Sequence, residues 1–349
     1  MGKKALFAVA PVVLLAAVAE GWFRIAPHED AYPTHTGIVE AAEPELIWRL
    51  RPLPSGPLAT NELGLRDGPY RADADFKILL LGDSVSWGNG INDSDALYAS
   101  RLEVELNGQG RGISYEVINS GVPGYSTFQE LAYLQLYGLA LNPDLIIVQF
   151  CLNDVVERYR ALAAYGGNRV FLGVDTRSAT RGLYGALLRR SRAFEAAARF
   201  VQARLRDGEQ YYVRNLLTDD LSAELAAAWV RVEGELDEVL QTTRAAGLPM
   251  LLLVAPFQMQ LDRPGELRQP QDRLIAWARS NAVGFVDVLS YMELMPAGTS
   301  RALFNDNSHF SVAGHAFVAE LLQVPVKRAI TSAYPDRFRA GGTPRRPDS

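Results

Sequence analysis

Along most of the chain, short unbroken apolar runs alternate with stretches in which apolar positions recur every three or four residues. Residues 77–82 (Lys-Ile-Leu-Leu-Leu-Gly) form such a run, and residues 114–118, 144–150, 249–254 and 284–288 repeat it. A strand covered on both faces has no polar face to show, so short continuous apolarity predicts five buried parallel strands. Residues 96–106, 128–139, 221–246 and 270–280 lie between them and read as helices. In the third, Leu225, Trp229, Val232, Leu236 and Val239 form one stripe, and Gly247 stands where a helix end favours a left-handed residue. A last helix follows Ser311, an N-cap, and buries Phe317, Val318, Leu321 and Leu322. Repeated strand-helix-strand units predict an α/β fold: an open parallel sheet covered on both faces, with right-handed crossovers and its site at the carboxyl ends of the strands.

Four regions depart from this alternation and set the domain limits. Residues 1–26 carry Lys3 and Lys4 followed by an apolar run to Ala19, the charged and hydrophobic regions of a signal peptide or signal anchor. The run alone spans about 22 Å as a helix, short of the roughly 30 Å hydrocarbon core. Continuation through Trp22 and Phe23 reaches a spanning length, while Ala17-Val18-Ala19 offers a cleavage site. Either way the two lysines place the remainder outside the cytoplasm, membrane-anchored in the first case and secreted or periplasmic in the second. Residues 27–75, rich in Pro, Gly and polar residues, read as a linker that packs partly on the domain at 76–330. Residues 155–218 form a helical insertion after the third strand, and residues 331–349 read as a disordered tail.

Composition narrows the function classes. The 349 residues carry a net charge of −5, which argues against a nucleic-acid partner, since that needs a basic surface. The charge is unevenly spread: residues 157–214 hold twelve arginines against five acids. There, Leu187, Phe194 and Val201 line one face of a predicted helix flanked by Arg189, Arg190, Arg192 and Arg199, either a solvated surface or a face for anionic lipid or substrate. One cysteine, Cys151, excludes an intramolecular disulfide and reads as a buried small hydrophobe. His28, Glu29, Asp30 and His35 are read as exposed linker rather than a metal site, and no cofactor is called for.

Candidate chemistry sits in four blocks, each directly after a predicted strand or before the last helix. Gly82-Asp83-Ser84 places a hydroxyl at a strand terminus with backbone N–H groups free to face a ligand. Residues 119–126 (Asn-Ser-Gly-Val-Pro-Gly-Tyr-Ser) are a turn signal in which glycine lets an N–H approach an oxyanion. Asn153, in Cys-Leu-Asn-Asp, carries an amide suited to the same anion or to an Asx-type cap. Asp306 lies three residues before His309, so its carboxylate can bond one ring nitrogen and leave the other as a base. His315, within the last helix, reads as a packing residue.

Together these blocks resemble the SGNH hydrolase superfamily, the GDSL-type esterases and lipases, over residues 77–322 apart from the insertion. The resemblance implies a flavodoxin-like three-layer α/β/α sandwich with a five-stranded parallel sheet. It also implies Ser84 as nucleophile, His309 as base and Asp306 as its orienting carboxylate. Ser84, Gly124 and Asn153 then form the oxyanion hole, with Gly121 the alternative glycine. The expected activity is hydrolysis of carboxylic esters, acyl or acetyl esters of envelope glycans or lipids. Transfer of the acyl group to a sugar hydroxyl, or a silent envelope-tethered binding module, are the alternatives.

Overall fold

The computed structural model describes residues 15, 17–22, 24, 37–108, 112–157, 191, 193–194, 213–296 and 298–338. A short antiparallel hairpin, β1 (Ile38–Glu40) and β2 (Trp48–Leu50), comes first. The parallel sheet follows: β3 (Phe76–Leu81), β4 (Tyr115–Asn119), β5 (Leu145–Cys151), β6 (Met250–Ala255) and β7 (Gly284–Asp287). The first four are buried at every position, as their largely apolar runs require. Lys77 within β3 is covered too, and its ammonium reaches the Ala72 carbonyl at 3.3 Å.

The strand order is β4-β3-β5-β6-β7, all parallel. The helices are α1 (Ser84–Trp87), α2 (Tyr98–Asn107), α3 (Thr127–Tyr133), α4 (Asn153–Glu157), α5 (Ala223–Ala245), α6 (Gln269–Ser280), α7 (Val288–Glu293) and α8 (Val312–Ala333). The chain moves outward from β3 to β4 and then back across to β5. Right-handed crossovers in opposite directions put α2 on one face and α3, α5 and α6 on the other. Accordingly α8 packs on α2, and α3 packs on α5. The reversal of winding lies between β3 and β5, where open α/β sheets form their crevice. Ser84 and Asn153 begin the helices that leave those two strands.

The α5 stripe is buried, and Gly247 closes the helix with φ +68°. The helix expected over 128–139 is α-helical only to Tyr133; it widens into a π turn at Leu134–Gly138 and tightens at Leu139–Leu141. The free edge of β4 is closed by side chains, which protects it from pairing with another strand. Asn107 accepts from the Tyr115 N–H, Glu103 from Val117 and Asp67 from Asn119, at 2.8, 2.8 and 3.0 Å.

Within the stretch read as a linker, residues 37–75 hold the β1–β2 hairpin, which buries Leu46, Trp48 and Leu50. The C-terminal stretch read as disordered from 331 is instead fixed as far as Phe338. Ala333 ends α8, Arg337 pairs with Asp144 at 2.7 Å, and Phe338 stacks on Phe76 with ring centroids 5.1 Å apart. Residues 339–349, most of the insertion and most of residues 1–36 lie outside the described residues. Among the described residues, the Glu20 carboxylate accepts from Ser191 Oγ at 2.8 Å and from the Ala193 N–H at 3.0 Å. Among the described residues no helix is long and apolar enough to cross a membrane.

Candidate active site

The turn from β3 into α1 is built around Asp83. Its Oδ1 accepts the Val85 N–H at 2.8 Å and caps the helix, leaving Ser84 half-buried at the first helical position, where the N–H has no partner within the helix. From inside α1, Ser86 Oγ donates to Gln149 Oε1 at 2.7 Å and lies 2.6 Å from the Tyr98 hydroxyl. The glycine block packs directly on this helix. A Cβ at Gly121 would stand 2.6 Å from both Ser86 Cβ and the Trp87 nitrogen, so only glycine fits. The Gly121 N–H is taken by Asn119 Oδ1 at 3.1 Å. Gly124 sits at φ +77°, and no described residue accepts its N–H. Of the two glycines, Gly124 is therefore the one with a donor to offer.

His309 arrives from the opposite side, on the loop before α8. The bridge between Phe304 and Phe310 closes that loop, and the Asn305 N–H donates to the His309 carbonyl at 2.8 Å. Asp306 turns back on the same loop: its Oδ1 accepts the N–H groups of Ser308 and His309 at 3.0 and 2.9 Å. Its Oδ2 lies 2.8 Å from His309 Nδ1, and His309 Nε2 lies 2.8 Å from Ser84 Oγ. A carboxylate on Nδ1 assigns the proton to that nitrogen and leaves Nε2 as the acceptor facing Ser84. Partial burial pushes the Asp306 carboxyl up, but the His309 hydrogen bond and charge and the two loop N–H groups outweigh it and bring it down to about 2. Asp306 is therefore ionised at neutral pH.

Asn153 approaches from the end of β5. Its Nδ2 donates to Asp83 Oδ2 at 2.9 Å, and both residues are buried. One carboxylate thus serves two donors, the backbone of the Ser84 turn and the amide of Asn153. Burial pushes the Asp83 carboxyl up, against the pull of these hydrogen bonds and of the His309 charge. Glu130 on α3 is buried nearby without a hydrogen-bond partner for either oxygen among the described residues. Burial, and then the charges of Asp83 and Glu235, hold it well above the usual carboxylate range.

The structure brings these residues together in two hydrogen-bonded sets, Ser84–His309–Asp306 and Asp83–Asn153, which meet where Ser84 follows Asp83 in the chain. His315 stays out of both. It is fully buried, its Nδ1 accepts the Tyr98 N–H at 3.1 Å, and burial followed by the charges of Arg66 and Arg101 lowers it to about 3, so it stays neutral. Cys151 is buried. Among the described residues no three His, Cys, Asp or Glu side chains converge as a metal site would need, and His28, Glu29, Asp30 and His35 lie outside them.

Two residues of the N-terminal stretch brace the site, and sequence reading passed them over. Arg66 is fully buried and donates to the carbonyls of Trp87 and Gly88, at 2.7 and 3.0 Å, and of Ile91, holding the far end of α1. Trp48 Nε1 donates to the Pro123 carbonyl at 3.1 Å, next to Gly124. Each brings a donor to a carbonyl more than twenty residues away, and no local pattern announces such a contact.

Residues 80–317 match the family model described as the GDSL-like lipase/acylhydrolase family. No curated protein sequence matches the chain. Among solved structures, similarity is found to a lipase/acylhydrolase from Enterococcus faecalis at 17% identity, covering 72% of this chain and 96% of that one with a TM-score of 0.42. TesA is similar at 16% identity, with 72% and 99% coverage and a TM-score of 0.45. The acetyl xylan esterase AlAXEase is similar at 16%, with 72% and 100% coverage and a TM-score of 0.43.

Proposed function

The chain belongs to the GDSL-like lipase/acylhydrolase family and is a carboxylic-ester hydrolase, and from that premise we propose that it works through Ser84, His309 and Asp306. The supporting observation is the 2.8 Å hydrogen bond between Ser84 Oγ and His309 Nε2, side chains 225 residues apart in sequence, continued to Asp306. His309 Nε2 takes the hydroxyl proton as Oγ bonds to the ester carbonyl carbon, and the carbonyl electron pair moves to oxygen. Asp306 stabilises the imidazolium without taking its proton. The oxyanion receives the Ser84 and Gly124 N–H groups and the Asn153 amide, which Asp83 aims. Collapse expels the alcohol with the proton from His309, and water then repeats the sequence on the acyl-enzyme. No step calls for a cofactor.

The substrates we propose are acyl or acetyl esters of envelope glycans or lipids, met outside the cytoplasm with residues 1–26 as the membrane attachment. Hydrolysis of an ester series from acetyl to long-chain, with Ser84→Ala as the blank, separates a glycan deacetylase from a lipase. Retained turnover in folded Ser84→Ala protein would remove the nucleophile. Product that appears only with a sugar acceptor would replace hydrolysis by acyl transfer. Recovery of the full-length chain in the soluble cytoplasmic fraction would remove the location.

A further inference from the structure

The hairpin outside the family-matched residues touches the peptide that carries the Gly124 N–H, one of the three donors of the proposed oxyanion hole. Residues Val122 to Tyr125 form a turn closed by the Tyr125 N–H on the Val122 carbonyl at 3.0 Å, with Pro123 and Gly124 in the central positions. Gly124 at φ +77° makes it a type II turn. Types I and II differ chiefly in the orientation of the central peptide plane. Here that plane is the Pro123–Gly124 peptide, so its rotation would carry the Gly124 N–H away from its present direction. The Trp48 indole N–H donates to the carbonyl of this same peptide at 3.1 Å. In return the Tyr125 hydroxyl donates to the Trp48 carbonyl at 2.6 Å, and the two rings meet edge-on with centroids 5.8 Å apart. Both side chains are 1% exposed, and Gln129 Nε2 ties the hairpin down again at the Leu46 carbonyl, 2.8 Å away.

We propose that Trp48 is a positioning residue for ester hydrolysis: its indole N–H locks the Pro123–Gly124 peptide so that the Gly124 N–H faces the oxyanion. This rests on the assignment of Gly124 as an oxyanion donor. Two physical effects act in the same direction. The hydrogen bond opposes rotation of the peptide plane, and by drawing electron density to the Pro123 oxygen it strengthens the N–H at the other end of the same amide. Trp48 lies outside residues 80–317, the part of the chain that the family model matches.

Trp48→Phe keeps an aromatic ring and removes the donor. Its kcat is expected to fall about tenfold, a fraction of the roughly 10² to 10³ lost on deleting an oxyanion donor. KM should stay within about twofold. Affinity for a boronic acid that forms a tetrahedral adduct on serine should fall by the same factor as kcat, a coupling that a packing role alone would not produce. Gly124→Ala, strained at positive φ, should lower kcat further, and adding Trp48→Phe to it should cost nothing more. An unchanged kcat in Trp48→Phe beside a lowered one in Gly124→Ala overturns the lock and leaves the oxyanion assignment standing. An unchanged kcat in Gly124→Ala overturns both. Should Trp48→Phe not fold, 3-benzothienylalanine at position 48 gives the same shape without the N–H, and wild-type kcat in that protein overturns the proposal.

Discussion

Asp83→Asn changes one atom in the centre of the site and should cost the enzyme most of its activity with little loss of stability. Asp83 accepts two hydrogen bonds on separate oxygens, from the Val85 N–H at 2.8 Å and from Asn153 Nδ2 at 2.9 Å. A carboxamide at position 83 has one acceptor oxygen, so one of the two donors must face an NH2 group. The Val85 N–H belongs to the backbone of α1 and cannot turn away. The Asn153 amide can rotate, offering its oxygen to the new NH2 and withdrawing its own N–H from the oxyanion. The loss should therefore approach that of Asn153→Ala, about 2.7 to 4 kcal/mol in the transition state or roughly 10² to 10³ in kcat, with KM little changed. Folding should suffer less, because burial already disfavours the Asp83 charge and a neutral carboxamide relieves that penalty. The assay is steady-state hydrolysis of a soluble acetyl ester by both single variants and the double variant, beside thermal unfolding of each. The double variant should be no slower than the slower single one. An Asp83→Asn kcat within about threefold of wild type, in folded protein, would refute the role given to this carboxylate.

Two further outcomes follow from groups around the site. Glu130 holds its proton in the folded state well above its ordinary value, so wild-type stability should decline as pH rises past about 4.3, the unfolded value, towards the higher folded one. Glu130→Gln removes that decline: denaturant unfolding should show equal stability near pH 4 and an advantage for the variant at pH 8, and parallel curves would contradict it. Arg66→Met deprives the buried carbonyls at the end of α1 of their donors and should lower unfolding free energy by about 3 kcal/mol. Unchanged stability in urea melts would show that water replaces the guanidinium there.

The parallel strands were legible because burial on both faces leaves a local trace: residues 78–81 and 145–148 are apolar without a break, and turn chemistry follows each strand. Asp306 and His309 were legible because their pairing is local, three residues apart. The hairpin was not. Its strands of three residues carry no alternation long enough to read, and Trp48 owes its place to Pro123 and Tyr125, some seventy-five residues away. The C-terminal stretch failed for the same reason. Gly341 and the prolines nearby dominate its composition, whereas Arg337 and Phe338 are held by Asp144 and Phe76. The double duty of Asp83 also had no signature, since Gly-Asp-Ser reads as a turn until β5 delivers Asn153 beside it.

Labelling with a fluorophosphonate, read by peptide mass spectrometry, addresses the central claim directly, because phosphonylation needs a serine whose proton an adjacent base removes. In folded wild-type protein the adduct should map to Ser84 at one per chain, fall to background in His309→Ala, and be absent from Ser84→Ala. An adduct on another residue, or labelling of Ser84 at the wild-type rate in His309→Ala, would contradict the account.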